Sequence, residues 1–342
     1  MKRSERVCAI VPTYNRWPFL LKSLEALCGQ RRAVDCILVI DGASTDGTPA
    51  AVRERYPHIE LLSLSRNLGS AGGFCEGVRW AYRRHFDWIW FIDDDSRVAD
   101  DALDALLTFS REALPDGPAR HVLGPLRLWD DDATFAGLPA LRWNFSNPFL
   151  LAEQARIPLS ARYRTRDELP AWADVQDLAW EGMLVPRNAV ADVGLPCSAY
   201  FTQVEDTDYS LRLQRAGYRL IMVSASRIYR LIRPHPVRPN PAWKVRYMIR
   251  NRLWLNRQYG RNWATRVLRS WLWGGRYLLP SLFKARWALE PDYMRAFYTG
   301  FREGLFAPLP SAEPAPATGS ALRLSNGQER QARAGRGPGR RR

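Results

Sequence analysis

Trp88-Ile89-Trp90-Phe91-Ile92-Asp93-Asp94-Asp95 runs five apolar residues without interruption into three carboxylates. The apolar part is short and rich in aromatic and β-branched side chains, so it reads as a buried strand. The acids then emerge where a sheet edge meets a ligand. Consecutive carboxylates repel one another, and a hard divalent cation taking oxygen ligands among them offsets that cost. A solvated acidic turn before a helix near Asp100 is the other reading of the same residues. The neighbouring sequence decides between them.

Residues 7–11 read as a strand ending at Pro12, followed by a helix from about Trp17 to Cys28 with Phe19, Leu20, Leu24 and Leu27 at helical spacing. Residues 36–40 form a second strand ending at Asp41, and Gly42 to Thr48 is a turn leading into a helix from Pro49 to Tyr56. A third strand covers Ile59 to Leu64, and the glycine-rich turn Gly69 to Gly73 opens a helix to about Arg84. After the strand Trp88 to Ile92, a helix spans Asp100 to Ser110. This alternation predicts an α/β fold with a parallel sheet covered on both faces. Ligand groups gather at the carboxyl ends of such strands. Those ends carry Thr13-Tyr14-Asn15, Asp41, Arg66-Asn67 and Asp93 to Asp95.

Residues 122–185 read as a loop-rich insertion, and residues 186–230 return to strand and helix patterns. Pro241 to Phe306 is helical and rich in Trp, Tyr and Arg. Residues 307–342 lack a hydrophobic period and read as a disordered tail, basic at Arg333, Arg336 and Arg340 to Arg342.

The chain has 342 residues, is 46% hydrophobic and carries a formal net charge of +15, so it buries a sizeable core and suits anionic partners. Its five cysteines include no CxxC pair, which reads as buried reduced thiols and a reducing compartment. No opening segment has the form of a signal peptide, and no stretch reaches the ~18 apolar residues of a membrane span. A cytoplasmic protein, peripheral on the inner face of the plasma membrane, is the expectation.

The element Asn67-Leu68-Gly69-Ser70-Ala71-Gly72-Gly73 is neither a P-loop nor a GxGxxG fingerprint, yet it places glycines at a helix start, where phosphate is favoured. Tight helix–strand packing is its structural alternative. Tyr14 suits stacking on a nucleobase or packing on the following helix. Asp41 suits a ribose or base contact, whereas Ser44, Asp46 and Thr48 read as turn and capping residues.

Taken in order, Ile10-Val11-Pro12-Thr13-Tyr14-Asn15-Arg16, Ile40 to Thr48, Arg66 to Phe74 and Trp88 to Asp95 resemble the inverting family 2 glycosyltransferases of the GT-A fold. The likeness is to the bacterial galactofuranosyl- and rhamnosyltransferase-like branch and covers about residues 5–235. It implies a GT-A domain over residues 1–235, while the composition beyond it marks a Trp/Arg-rich helical region over 236–306 and the tail. It also implies a nucleotide-diphosphate sugar donor held by Pro12, Thr13, Tyr14, Arg16, Asp41, Asn67, Gly72, Asp93 and Asp94. Within that set, Thr13, Tyr14 and Asp41 would serve the base and ribose, and Asn67 with the glycine turn the diphosphate and sugar.

By the same resemblance, Mn2+ or Mg2+ lies at Asp93 and Asp95, with His235 as a further ligand or else a surface-loop residue. Asp206, in Val204-Glu205-Asp206-Thr207-Asp208, matches the general base, which accepts the proton of an attacking sugar hydroxyl. Helix capping is its alternative role. Trp180, Glu181 and Glu205 are acceptor-side candidates, with structural roles as the alternative for the first two.

UDP-galactofuranose is the favoured donor and dTDP-rhamnose the next, with a cell-surface glycan or lipid-linked acceptor. The Trp and Arg residues after position 242 suit an anionic membrane surface. A basic nucleic-acid-binding protein would explain the charge but not the ordered acids, so no nucleic-acid partner is expected. A non-catalytic scaffold of the same fold would not need Asp93 to Asp95 together with Asp206.

Overall fold

The computed structural model describes residues 5–112, 120–131, 133–150, 155–233, 241–272 and 290–317. Four strands, β1 (Val7–Thr13), β2 (Cys36–Asp41), β3 (Glu60–Ser63) and β4 (Trp88–Phe91), lie in the order β3-β2-β1-β4. All three pairings are parallel. The returns between them are the helices α1 (Trp17–Cys28), α2 (Thr48–Arg55) and α3 (Gly69–Arg83). Pro18 near the start of α1 and Pro49 near the start of α2 suit a first helical turn, whose N–H groups lack intrahelical partners.

Strand periodicity divides the core. Trp88, Trp90 and Ile92 pack with Leu20, Leu24 and Leu103 on one face of the sheet. Ile89 and Phe91 pack with Phe74, Val78 and Tyr209 on the other. Phe91 is fully buried, which is worth about 1.5–3 kcal/mol relative to exposure, so even a short β4 is firmly central.

Beyond β4 the sheet is mixed, which departs from the parallel expectation. After β5 (Ser96–Val98) and α4 (Ala102–Glu112) comes β6 (His121–Trp129). β10 (Leu184–Pro186) enters antiparallel between β4 and β6. β11 (Arg219–Arg230) is parallel to β6, while β5 and β9 (Trp172–Val175) pair antiparallel with β11. The chain reaches β10 through an insertion rather than a helical crossover, so a parallel entry is not imposed. That insertion carries the hairpin of β7 (Ala140–Trp143) and β8 (Arg156–Pro158). The helices α5 (Arg187–Val193) and α6 (Glu205–Arg215) complete the layers.

The C-terminal part contains α7 (Ala242–Tyr259), the short α8 (Trp263–Arg266) and α9 (Pro291–Phe306). Val245, Ile249 and Leu253 of α7 meet Phe297, Phe301 and Leu305 of α9, and Arg246 grips Glu303 at two points. Leu255 and Tyr259 pack instead with Ala140, Trp143 and Leu211, so α7 is covered on two sides. None of the described helices is long and apolar enough to cross a membrane.

Residues 307–317, expected as the start of a disordered tail, lie against the first domain. The Leu195 N–H donates to the Glu313 carbonyl at 2.8 Å, Arg79 pairs with the Glu313 carboxylate, and Ala312 and Ala315 pack on the core. The rest of that tail lies outside the described residues. All five cysteines are free thiols, but burial holds only for Cys8, Cys75 and Cys197, since Cys36 is partly covered and Cys28 exposed.

Candidate functional site

The carboxyl ends of β1 to β4 open into a cleft of about 750 Å3. Its floor is Asp93 to Asp95, one wall is Pro12 to Tyr14 with Arg16, and another is Asn67 to Ser70. Facing these are Trp180, Glu181 and the segment Phe201 to Thr207. Five segments far apart in sequence therefore meet in one place.

The floor is only partly neutralised. Thr13 Oγ1 donates to Asp94 at 2.8 Å, and Arg16 reaches Asp94 at 2.7 Å and Asp95 at 3.0 Å. Burial pushes Asp94 up to about 6 even though Arg16 pulls it down. Asp93 is raised well above the usual carboxylate range by burial, then by the charges of Glu181, Asp95 and Asp94, with Arg230 opposing. Among the described residues the Asp93 carboxylate has no hydrogen bond or ion pair. Glu181 sits between Arg127 and Arg230 at 3.2 Å from each. Glu181 also lines the cleft, and after burial its charge contributes most to raising Asp93.

Two glycines of the second wall are fixed by sterics. Gly69 has φ +69, and a Cβ there would fall on the Phe201 carbonyl. A Cβ on Gly73 would lie 2.7 Å from Pro12 Cβ. Only glycine lets α3 start this close to both the Phe201 loop and β1.

The opposite wall is strained. Phe201, Gln203 and Val204 have φ values of 62, 70 and 73, a region unfavourable for such side chains. The loop is held from two directions. The Ala71 N–H donates to the Phe201 carbonyl at 3.0 Å. From α7, Asn251 Nδ2 donates to the carbonyls of Tyr200, Thr202 and Gln203 at 2.9, 2.7 and 2.8 Å. Arg250 adds bonds to the carbonyls of Ala199 and Tyr200.

The acids that follow this loop begin α6. Ser70 Oγ donates to Glu205 at 2.6 Å, and burial followed by the Asp206 charge pushes Glu205 up to about 7. Asp206 lines the cleft and accepts from the Thr207 N–H at 2.6 Å. Burial and then Asp177 raise it, while Arg127 opposes. Asp208 has a structural role, accepting from Tyr259 Oη at 2.7 Å and Arg212 Nε at 3.0 Å.

The structure thus brings together Pro12, Thr13, Tyr14, Arg16, Asn67, Asp93, Asp94, Asp95, Trp180, Glu181, Glu205 and Asp206. Two expected donor residues do not line the cleft. Asp41 is 1% exposed and its carboxylate accepts from the Ser44 N–H of its own turn at 3.2 Å. Gly72 is buried inside α3, with its N–H donating to the Leu68 carbonyl. Trp180 touches the cleft but is 3% exposed, with its ring among Phe74, Phe91 and Tyr209, which favours the structural reading. Asp46 caps the start of α2 through Thr48, as the turn reading expects. His235 lies outside the described residues. Ser70, Arg230 and Lys244 line the site without having been singled out in the sequence. For Ser70 the signal was its place in the glycine turn; Lys244 was hidden among the basic residues of the C-terminal helices.

The cleft thus sets an acidic floor and a second pair of acids at the carboxyl edge of an α/β sheet, the place where such sheets bind ligands. Residues 8–154 match the family model "Glycosyl transferase family 2". The galactofuranosyltransferase GlfT1 of Mycolicibacterium smegmatis is 30% identical over 222 residues, 64% of this chain and 68% of that protein. The N-acetylglucosaminyl-diphospho-decaprenol L-rhamnosyltransferase of Mycobacterium tuberculosis is 28% identical over 234 residues, 64% of this chain and 74% of that protein. The chain belongs to glycosyl transferase family 2 and is a glycosyltransferase. The fold agrees: the crystal structure of GalNAc-T7 with UDP, GalNAc and Mn2+ superposes with TM-score 0.56 at 14% identity, covering 91% of this chain and 60% of that one.

The described residues contain no group of three His, Cys, Asp or Glu side chains placed to hold a metal. A hard divalent cation bound with substrate phosphates needs only one or two protein carboxylates. The unpartnered Asp93, with Asp95 beside it, fits that smaller requirement.

Proposed function

We propose that this enzyme is an inverting hexosyltransferase acting by single displacement. The donor is a nucleotide-diphosphate sugar, UDP-galactofuranose first and dTDP-rhamnose next, and the acceptor is a hydroxyl of a lipid-linked or cell-surface glycan. The observation that carries this reading is the pair of acidic centres in one cleft, Asp93 to Asp95 on the floor and Asp206 on the facing wall.

Tyr14, 43% exposed at the cleft edge, offers a ring to the base. Asn67 and the α3 start lie near the diphosphate. Asp93 and Asp95 would hold Mn2+ or Mg2+, which supplies charge stabilisation to the departing diphosphate. Asp206 accepts the proton of the acceptor hydroxyl. Its raised proton affinity, from burial and Asp177, makes it a stronger base than a solvated aspartate. Glu205 is anchored to Ser70 and shapes the acceptor side.

The catalytic unit spans residues 1–235, with the helices after it as a supporting region. The exposed Trp263, Trp271, Tyr298 and Phe306 suit a lipid surface, which supports a peripheral position on the membrane that carries the acceptor. The test is donor screening with the full chain and a lipid-linked acceptor, reading the anomeric configuration of the product by NMR. Transfer with inversion is expected. Transfer with retention, or no turnover of any nucleotide sugar, overturns the reading.

A further inference from the structure

Of the five described cationic residues that line the cleft, three feel one another's charge: Arg16 beyond β1 and Arg230 at the end of β11 both act on Lys244 in the first turn of α7. Two of them are answered. Arg16 is held by Asp94 and Asp95, and Arg230 by Glu181. Among the described residues, Lys244 makes no ion pair or side-chain hydrogen bond. It is nevertheless half-buried, although a lysine stem ordinarily lets the ammonium reach open water.

Its surroundings are costly for a cation. Burial lowers the ammonium from the ordinary lysine value, and the like charges of Arg230 and Arg16 lower it further. Asp95 and Glu205 pull the other way. An anion entering between Lys244 and the two arginines relieves this cost, because opposite charge at short range favours the protonated amine. The acidic floor by itself repels such an anion, so cations on the facing side of the cleft have to offset it. Phosphate oxygens fit a compact ammonium with rotatable donors.

We propose that Lys244 binds the diphosphate of the nucleotide donor, so that α7 supplies a protein cation to the leaving group in addition to any metal at Asp93. The proposal rests on the donor reading above. Charge accumulates on the diphosphate as the bond to the sugar breaks, so a fixed cation there contributes more in the transition state than before it. The rival role is charge balance for Asp95 and Glu205 alone, in which case phosphate recognition would not depend on Lys244.

The experiment is calorimetric titration of the full chain with UDP, dTDP and inorganic pyrophosphate, each with Mn2+ and with chelator. Wild type is compared with Lys244→Ala, Lys244→Arg and Tyr14→Ala, and melting temperatures check folding. Lys244→Ala should weaken both the nucleotide and pyrophosphate by about tenfold or more, the scale of one hydrogen bond to a charged group. Lys244→Arg should recover most of that loss. Tyr14→Ala should weaken the nucleotide while sparing pyrophosphate. Unchanged pyrophosphate affinity in Lys244→Ala overturns the proposal, whatever happens to the nucleotide. If Lys244→Ala fails to fold, Lys244→Gln, which keeps most of the stem, is read in the same way. Wild-type protein that binds neither nucleotide sinks the donor reading itself, a result distinct from a variant that binds as well as wild type.

Discussion

The side-chain amide of Asn251 donates to the Thr202 carbonyl at 2.7 Å, across 49 residues of sequence. The same nitrogen reaches the carbonyls of Tyr200 and Gln203, and Asn251 is fully buried. A helix outside the α/β core therefore determines the backbone shape of the loop that leads into Glu205 and Asp206. Replacing Asn251 by Ala removes its bonds to the carbonyls of Thr202 and Gln203, at about 1–3 kcal/mol for a buried unsatisfied group, while Tyr200 keeps its bond from Arg250. Asn251→Ala should lower the melting temperature and reduce turnover more than UDP affinity. Wild-type turnover in a folded Asn251→Ala protein would show that the loop keeps its shape unaided.

Asp206→Asn keeps the side-chain shape and removes the basicity. If Asp206 accepts the acceptor proton, turnover falls by the ~10²–10⁴ associated with general base catalysis, with donor affinity little changed. Turnover and the UDP-sugar dissociation constant should be measured on the same variant. Near wild-type turnover would exclude Asp206 and leave Glu205 as the next acid in the cleft, since Asp208 is committed to Tyr259 and Arg212.

Asp93→Asn should lose Mn2+-dependent donor binding without losing stability, because the wild-type carboxylate is an uncompensated acid crowded by Glu181, Asp95 and Asp94. Titration of Mn2+ and UDP together, alongside thermal melting, checks both parts. Full activity of wild-type enzyme in chelator would remove the cation from the scheme.

Stability of the cation-free protein should depend on pH with a definite sign. Asp94 is raised to about 6 and Glu205 to about 7, both primarily by burial. A carboxyl whose folded value lies above its unfolded one favours folding below the unfolded value, and that contribution is lost as pH rises through the folded value. The melting temperature should therefore decline between about pH 4 and 7, and less steeply in Glu205→Gln. Identical slopes in the two proteins would argue against a raised Glu205.

Membrane association should be peripheral and salt-sensitive. Trp263 is 71% exposed and Phe306 72%. Flotation with anionic liposomes should weaken at high salt, since surface attraction is screened within about 10 Å at 0.1 M. Trp263→Ala combined with Trp271→Ala should reduce the salt-resistant part. Equal binding to neutral and anionic liposomes would remove the electrostatic component, and no binding to either would remove the lipid surface.

The sequence made the parallel half of the sheet legible because its signals are local. The apolar run before Asp93, the leucines of α1 and the glycines of α3 each act within a turn or a strand of their own position. The acids of the cleft were legible for the same reason, since strand ends and helix starts are local features. Contacts made at long range were not. Asp41 sits at a strand end as expected, yet it turns inward to its own loop. Arg250 and Trp254 read as headgroup residues in the sequence, but they are 8% and 6% exposed and stack on one another, with Arg250 spent on loop carbonyls. An arginine that binds buried backbone and one that binds lipid look alike until the partner is seen. The antiparallel entry of β10 also had no local signature, because the insertion leading to it has no regular period.

The grip of Asn251 on the 200–203 backbone also bears on when the enzyme becomes competent. A nascent chain that has emerged as far as β11 carries every acid of the cleft, but the loop before Asp206 has the bond from Ala71 and still lacks the bonds from α7 that hold the carbonyls of Tyr200, Thr202 and Gln203. Synthesis has to continue through α7 before that loop can settle, and through residue 313 before Leu195 finds its partner. Acidic machinery made early is thus completed late, and a ribosome-bound intermediate is expected to be folded but not yet active.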